Sequence, residues 1–270
     1  PGSSTRSLFQ VDGGDMLTLE NLTLFNTTLI GEGGQAETIY FNSDGGRLIA
    51  RNASFISEQD TLLLKGWTWF YNTLVAGNVD YIWGYPHVSL FENSEIRTLG
   101  RSNGGEGGYI LQARVQNEAD KGFVFLNSSL TRAPGPLDHA VNDDTYYLAR
   151  SAGQAGLYDN VTFVNTEMDA HIKPVGWYDN PVPTPAAATA ASGWREYNST
   201  DLAGSPVNTS QRYSGSYILS VAEADAEFCN RAQIFSDWNG GEGWDPYPED
   251  TSDDHCAAVT GSDETWSGNG

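Results

Sequence analysis

Two carboxylates and two amides are the residues of this sequence whose types and spacing could do chemistry. Asp60 and Asp80 stand 20 residues apart, Gln59 directly precedes the first, and Gln35 stands 24 residues before Gln59. Adjacent strands of a stacked solenoid lie about 4.8 Å apart. If one coil takes about 20 residues, the two aspartates lie side by side on neighbouring strands. Two carboxylates that close cannot both ionise easily, so one pKa rises and the other falls. The split leaves one group fit for general acid work and one fit for nucleophilic attack. The amide N–H groups of Gln59 and Gln35 can donate to a developing oxyanion. Asp and Gln also cap turns, and spacing alone leaves both readings open.

The geometry requires a solenoid, and the sequence supplies one. From Met16 to about Asn165 one phrase recurs: a short alternating strand, an asparagine, and another short strand. The asparagines are Asn21, Asn52, Asn72, Asn93, Asn127 and Asn160, at spacings of 31, 20, 21, 34 and 33 residues. That is a coil of about 20 residues with loops inserted into some turns. Short runs rich in Val, Ile, Leu, Phe and Thr are strand signals, and self-similarity at this period means a solenoid or propeller. A propeller blade needs about 40–45 residues, so the spacing selects an all-β, right-handed parallel β-helix. Asn suits the sharp turn because it tolerates left-handed backbone.

Residues 1–180 are expected to form the coils and the cleft, and 181–217 a side loop and the last coil. Pro181 to Ser192 is a low-complexity excursion. Residues 218–270 are expected to hold a capping helix and an irregular acidic tail, all within one domain. The helix should run from Leu219 to Ile234, with Ser220 as N-cap and Glu223 completing a capping box.

Composition narrows the function. There are 35 acidic against 14 basic residues, a net charge of −21, so a nucleic-acid binder is disfavoured. Such a chain suits an acidic polysaccharide only where that polymer's charge is masked or the medium is acidic. No run approaches the ~18 apolar residues of a membrane span. Seven N-x-[ST] sequons point to a secreted, extracellular protein. Asn21, Asn52, Asn127 and Asn160 occupy the repeat's own turn, which leaves Asn26, Asn198 and Asn208 as the glycan-acceptor candidates. Cys229 and Cys256 are expected to form one disulfide. The Gly-rich pieces lack the K-[ST] of a phosphate loop, no G-x-S-x-G occurs, and no histidine has triad-like or metal-ligand spacing. Neither cofactor nor metal is expected.

Several of these stretches resemble the pectin methylesterase (pectinesterase) family. Gln59-Asp60-Thr61-Leu62 and Asp80-Tyr81-Ile82-Trp83-Gly84 resemble its Q-D-T-L and D-F-I-F-G signatures, and Gln35 to Ile39 its Q-A-V-A-L segment. Tyr109 to Leu130 is similar to its Y-I-T-A-Q-G-R and G-F-V-F stretch, Tyr147 to Arg150 to its Y-L-G-R, and Ile172 to Trp177 to its I-x-P-x-G-W. The likeness covers about residues 15 to 245, in order and spacing. It implies hydrolysis of C6 methyl esters of galacturonate in methyl-esterified homogalacturonan, with Asp80 as nucleophile and Asp60 as general acid and base. It implies that Gln59 and Gln35 form the oxyanion hole and that Arg150 orients Asp80 and keeps it ionised. Trp83, Tyr81 and Trp177 then become sugar-stacking candidates, each equally fit for core packing.

The chain departs from the family pattern in three places, one of them Tyr81 and Trp83 for the two Phe of D-F-I-F-G, tolerable changes at a lined cleft. The family's L-G-R-P-W reads Leu148-Ala149-Arg150-Ser151-Ala152, so its stacking Trp is missing. The early coils of the family are largely missing too, which leads us to expect a second fragment or another subunit over the exposed first coil. The competing readings are a catalytically impaired pectin-binding β-helix and a Ca²⁺-dependent lyase, the latter drafting Asp143 and Asp144 or the acidic tail as ligands.

Overall fold

Residues 3–250 are described by the structure, a computed structural model. Cys256 and most of the acidic tail lie outside the described residues. The chain winds as a right-handed parallel β-helix whose coils each contribute up to three legs. The first leg includes Phe9–Val11, Ile39–Phe41, Gly108–Ala113, Tyr146–Ser151 and Trp177–Tyr178. The second includes Met16–Glu20, Arg47–Arg51, Gly122–Leu126, Val161–Val164 and Trp194–Tyr197. The third, from Thr23–Phe25 to Thr200–Asp201, forms a separate seven-stranded sheet. All strand-to-strand pairings are parallel.

First and second legs fuse in two long strands, Leu62–Tyr71 and Ile82–Glu92, which pair with each other along their whole length. The fused strand must bend, and it does so at Gly66 with a register shift before Trp67. Gly66 has φ +64°, and a Cβ there would stand 2.3 Å from the Ser43 carbonyl oxygen. Only glycine fits both demands.

Inside the coils, residues in register stack on one another. Phe70, Phe91, Phe125 and Phe163 form a column with ring centroids 4.7, 4.9 and 4.6 Å apart, and all four are buried. Between second and third legs the backbone turns through left-handed Asn21, Asn52, Asn72, Asn93, Asn127, Asn165 and Asn198. Their amides bond along the stack, as Asn72 to Asn52 (2.6 Å), Asn165 to Asn127 (3.1 Å) and Asn198 to Asn165 (3.0 Å). Two expectations are corrected here. The repeat's sixth turn residue is Asn165, not Asn160, whose side chain is buried and bonds the Glu118 and Asp120 carbonyls. Asn198 is a member of the ladder rather than a residue outside it.

A second apolar layer covers the outer face of the second leg. Ile49, Trp67, Trp69, Leu90 and Val124 pack there against Phe228, Ile234, Phe235 and Trp244. The expected single helix is two: after the four-residue α1 (Ser3–Arg6) come α2 (Val221–Phe228) and α3 (Arg231–Ile234), parted at Asn230, which caps the second. The Ser220–Glu223 capping box is present. Arg231 reaches from α3 to the buried Glu92 (2.9 Å), which also accepts from the Trp69 indole (2.7 Å).

Replacing Phe125, which has a ring on each side, leaves a cavity in the column. Phe125→Ala should cost about 3–5 kcal/mol of unfolding free energy, measured by urea denaturation of wild type and variant.

Candidate active site

The bare stacking of coils brings the predicted pair together. Gln35 bridges to Gln59 and Gln59 to Val79, while Leu62 pairs with Ile82. Asp60 is therefore in register with Asp80, and Gln35 lies one coil further along the ladder from Gln59. Asp60 and Asp80 both have left-handed backbone, φ 63° and 45°, at the entry to the two long strands. Aspartate accepts that conformation better than most residues. Their amides are held by the next coil: Asp60 donates to the Val79 carbonyl (3.2 Å) and Asp80 to that of Tyr109 (2.8 Å). Glu58, buried beside Gln59, accepts from Asn78 Nδ2 (2.8 Å), Ile30 N (2.8 Å) and both N (2.8 Å) and Oγ (2.5 Å) of Ser102. That knot ties three loops to the segment carrying Gln59.

The two aspartates differ in their partners. Arg150, 70 residues on, clamps Asp80 with Nε 2.9 Å from Oδ1 and Nη2 2.6 Å from Oδ2. Burial lifts Asp80 above its ordinary value, and the Arg150 hydrogen bonds and charge, with help from Arg114, offset only part of that rise, so neither aspartate falls below the usual range. Asp60 has no such clamp. Burial first, then the Asp80 and Glu37 charges, push it up to about 8, against weaker pulls from Arg6 and Arg114. Asp80 is thus the carboxylate set up as the anion, and Asp60 the one that keeps its proton.

Three residues that sequence reasoning missed surround this pair. Arg6, at the end of α1, donates to the Gln35 Oε1 and to Glu37 Oε1 (2.7 Å), with Asp60 3.8 Å away. By occupying the amide oxygen, Arg6 leaves the Gln35 Nε2 as the end free to donate. Glu37 is fully buried, and its second oxygen has no hydrogen-bond partner. Arg114 donates to Gln112 Oε1 (2.8 Å) and Tyr85 Oη (2.9 Å), and its guanidinium lies 4.7 Å from the Trp83 ring centroid. Arg114 could have been found within the quoted Tyr109–Leu130 stretch. Arg6 carries no signal in the sequence.

The stacking candidates separate by burial. Trp83 is half-buried on the site side. Tyr81 is fully buried, its hydroxyl 3.1 Å from Thr98 Oγ1, and Trp177 is buried with its ring stacked on Trp194 at 5.2 Å. Both are core residues and are withdrawn as sugar contacts. The aromatics that reach the surface beside Arg150 are Tyr109, Tyr147 and Tyr178.

Asn26 is also withdrawn as a glycan acceptor, because its amide is buried and donates to the Arg6 and Glu37 carbonyls. Asn198 is exposed but spends its amide in the ladder. Asn208 is exposed at a 3₁₀-helix N-cap. Cys229 is disulfide-bonded, and Cys256 lies outside the described residues. Hollows of about 860 Å³ beside α2 and about 700 Å³ along the asparagine turns both lie away from the aspartates, so volume does not mark the chemistry.

A pectinesterase family model matches residues 5–236, which include every residue of this constellation. The chain belongs to the pectinesterase family. It is 31% identical to pectinesterase 31 of Arabidopsis thaliana over 170 residues, 63% of this chain and 47% of that one. With the pectinesterase of Aspergillus aculeatus the identity is 31% over 148 residues, 54% of this chain and 42% of the relative. This chain thus spans about half the length of these relatives. Among solved structures, the pectin methylesterase from Yersinia enterocolitica superposes with a TM-score of 0.66 at 26% identity, over 88% of this chain and 79% of that one. The fold expectation, a parallel β-helix, holds.

The raised Asp60 has a consequence for stability. Folded, it keeps its proton to about pH 8, whereas unfolded it loses it near 3.8. Between those values the folded state binds more protons, so this group's contribution falls as pH rises. Asp60→Asn does not titrate. Its melting temperature should match wild type near pH 4 and exceed it increasingly up to pH 8, as read by thermal unfolding across that range.

Proposed function

We propose that this chain is a pectin methylesterase, hydrolysing C6 methyl esters of galacturonate in pectin to methanol and pectate. The observation that carries the reading is the unequal aspartate pair: Asp80 clamped by Arg150, Asp60 in register with it and protonated. Asp80 attacks the ester carbonyl carbon, and the Gln35 and Gln59 amides donate to the oxygen that becomes negative. As the tetrahedral species collapses, Asp60 passes its proton to the departing methoxy oxygen, which leaves as methanol. The galacturonyl group is then joined to Asp80 as an anhydride. Asp60, now ionised, takes a proton from water; the resulting hydroxide attacks the carbonyl and frees Asp80. Both carboxyls end as they began. Trp83 lines the same side for sugar contact.

The extracellular setting is part of this proposal and is supported by the exposed Asn208 sequon. No helix among the described residues is long and apolar enough to cross a membrane.

Methanol release from highly methyl-esterified pectin tests the reading. Asp80→Asn should lose about 10⁴-fold in kcat and Gln59→Ala about 10²-fold. Wild-type activity should survive EDTA and fall above about pH 8 as Asp60 loses its proton. An unsaturated, ultraviolet-absorbing product abolished by EDTA would instead mean a lyase. Pectin binding with no methanol would mean a binding module.

A cover over the first coil belongs to the same proposal. Among the described residues, Leu8 (53%), Phe9 (38%), Met16 (52%) and Phe25 (52%) are exposed together on that coil, and its strands pair only with the next one. Light scattering with intact-mass analysis should find a second fragment or subunit in solution. A stable lone monomer would remove the cover.

A further inference from the structure

Among the described residues three arginines are buried, and two of them meet a carboxylate in the same way. Arg212 holds Glu196 with Nε at 2.9 Å and Nη2 at 3.1 Å. Arg231 holds Glu92 with Nε at 3.0 Å and Nη2 at 2.9 Å. The half-buried Arg150 grips Asp80 by that edge too. The edge of a guanidinium that carries Nε–H and one Nη–H matches the two oxygens of a carboxylate, which is why the pattern repeats.

Arg195, the third, breaks the pattern. It is 1% exposed, yet its Nε and Nη2 are buried with no hydrogen-bond partner, while Nη1 donates to the Ala190 carbonyl (3.0 Å). Strand alternation explains the mismatch. Glu196, the next residue in sequence, faces the other side of the sheet, where Arg212, Trp177 and Ser199 take it. Glu227, whose charge reaches Arg195, is paired with Lys121 (3.3 Å). Phe228 lies 5.2 Å from the guanidinium and offers only its ring face. Burial pulls Arg195 down to about 10 against the weaker opposing effect of Glu227, so it is still a cation at neutral pH. Thr162, in register with Arg195 on the neighbouring strand, is also fully buried, and its hydroxyl has no partner. Buried charges are costly unless they are paired.

Arg195 stands in the lining of the 860 Å³ hollow beside α2, which the 117–121 turn and the side loop around Ala190 also bound. None of the lining residues belongs to the aspartate site. Pro185, Ala190, Ala191 and Ala226 give the hollow apolar surface. Glu118, Glu223, Glu227 and Asp237 stand in it too, the last two bridged by Lys121 at 3.3 and 3.6 Å. Such acids repel a polyanion but leave room for a single charge matched to Arg195.

We propose that this hollow binds a small monocarboxylate with an apolar body, its two oxygens on Nε and Nη2 of Arg195. The Thr162 hydroxyl, on the same face one strand away, is a third donor for it. Both guanidinium donors are shut off from solvent, so the ligand enters as the side loop gives up its Ala190 bond. The site does not depend on the esterase chemistry.

Thermal unfolding tests it, with benzoate as probe, benzamide as its uncharged isostere and sodium chloride as the control for ionic strength. With benzoate at about ten times a Kd of about 1 mM, wild type should melt about 3 °C above the chloride control. Benzamide should not move the melting temperature. Arg195→Met removes a buried charge that lacks a partner, so it should melt no lower than wild type and lose the benzoate shift. Arg195→Lys keeps the charge without the two-pronged edge, so calorimetric titration should find benzoate bound about tenfold more weakly. Ala226→Trp, which fills the hollow from α2 and leaves Arg195 in place, should abolish binding as well. Equal shifts with benzoate and benzamide, or a benzoate shift that survives Arg195→Met, would overturn the site. A wild type that benzoate does not shift would overturn it too, leaving solvent as the partner of Arg195.

Discussion

Everything in this molecule depends on the register between coils. Parallel ladders fix neighbouring strands about 4.8 Å apart, so residues one coil apart in sequence become neighbours in space. The coil between Asp60 and Asp80 is the minimal one, 20 residues with no inserted loop. Other coils have absorbed extra residues in their turns. One residue more here would flip the second aspartate to the other face. The left-handed backbone at both aspartates ends one turn and opens the long strand, aiming both carboxylates at the same side. The fused strands behind them, the stacked phenylalanines and the helices over the second leg supply the rigid body against which two buried carboxylates can be held.

Charge then breaks the symmetry that register creates. Two aspartates at equivalent positions would have equivalent chemistry unless their surroundings differed. Arg150 arrives from the far side of the ladder and pairs in two-pronged fashion with Asp80 alone. From the near side comes Arg6, whose charge is already shared with Glu37, so Asp60 receives little of it. Asp60 consequently sits between two other carboxyl groups, Glu37 and Asp80, in a buried site. The direction of the split follows from which strand brings which partner, and it needs no difference between the aspartates themselves.

Much of this was legible in the sequence, for identifiable reasons. The asparagine turns and the minimal coil between Asp60 and Asp80 are periodic, and period survives in a bare string of residues. What failed was parity. Tyr81 stands beside Asp80 in sequence, but successive residues of a strand face opposite sides, and Tyr81 turns into the core. Trp177 pairs with the buried Ala149, whereas Tyr178, one residue on, pairs with Arg150 and reaches the site. Asn160 was misplaced because its neighbourhood offers two asparagines five residues apart, and only pairing tells which one turns. Arg6 belongs to no repeat, so nothing in the sequence ties it to Gln35.

The aromatic surface beside Arg150 is a wall of three tyrosines. A single large aromatic on a loop gives its contact area from one place and loses freedom when a sugar orders it. Tyr109, Tyr147 and Tyr178 come instead from three successive coils, each fixed by ladder pairing before any ligand arrives. Such a surface costs little ordering entropy on binding. It also extends along the stacking direction, the direction in which the aspartates and Arg150 are already arrayed. The same ladder therefore positions both the aspartate pair and the aromatic wall beside it.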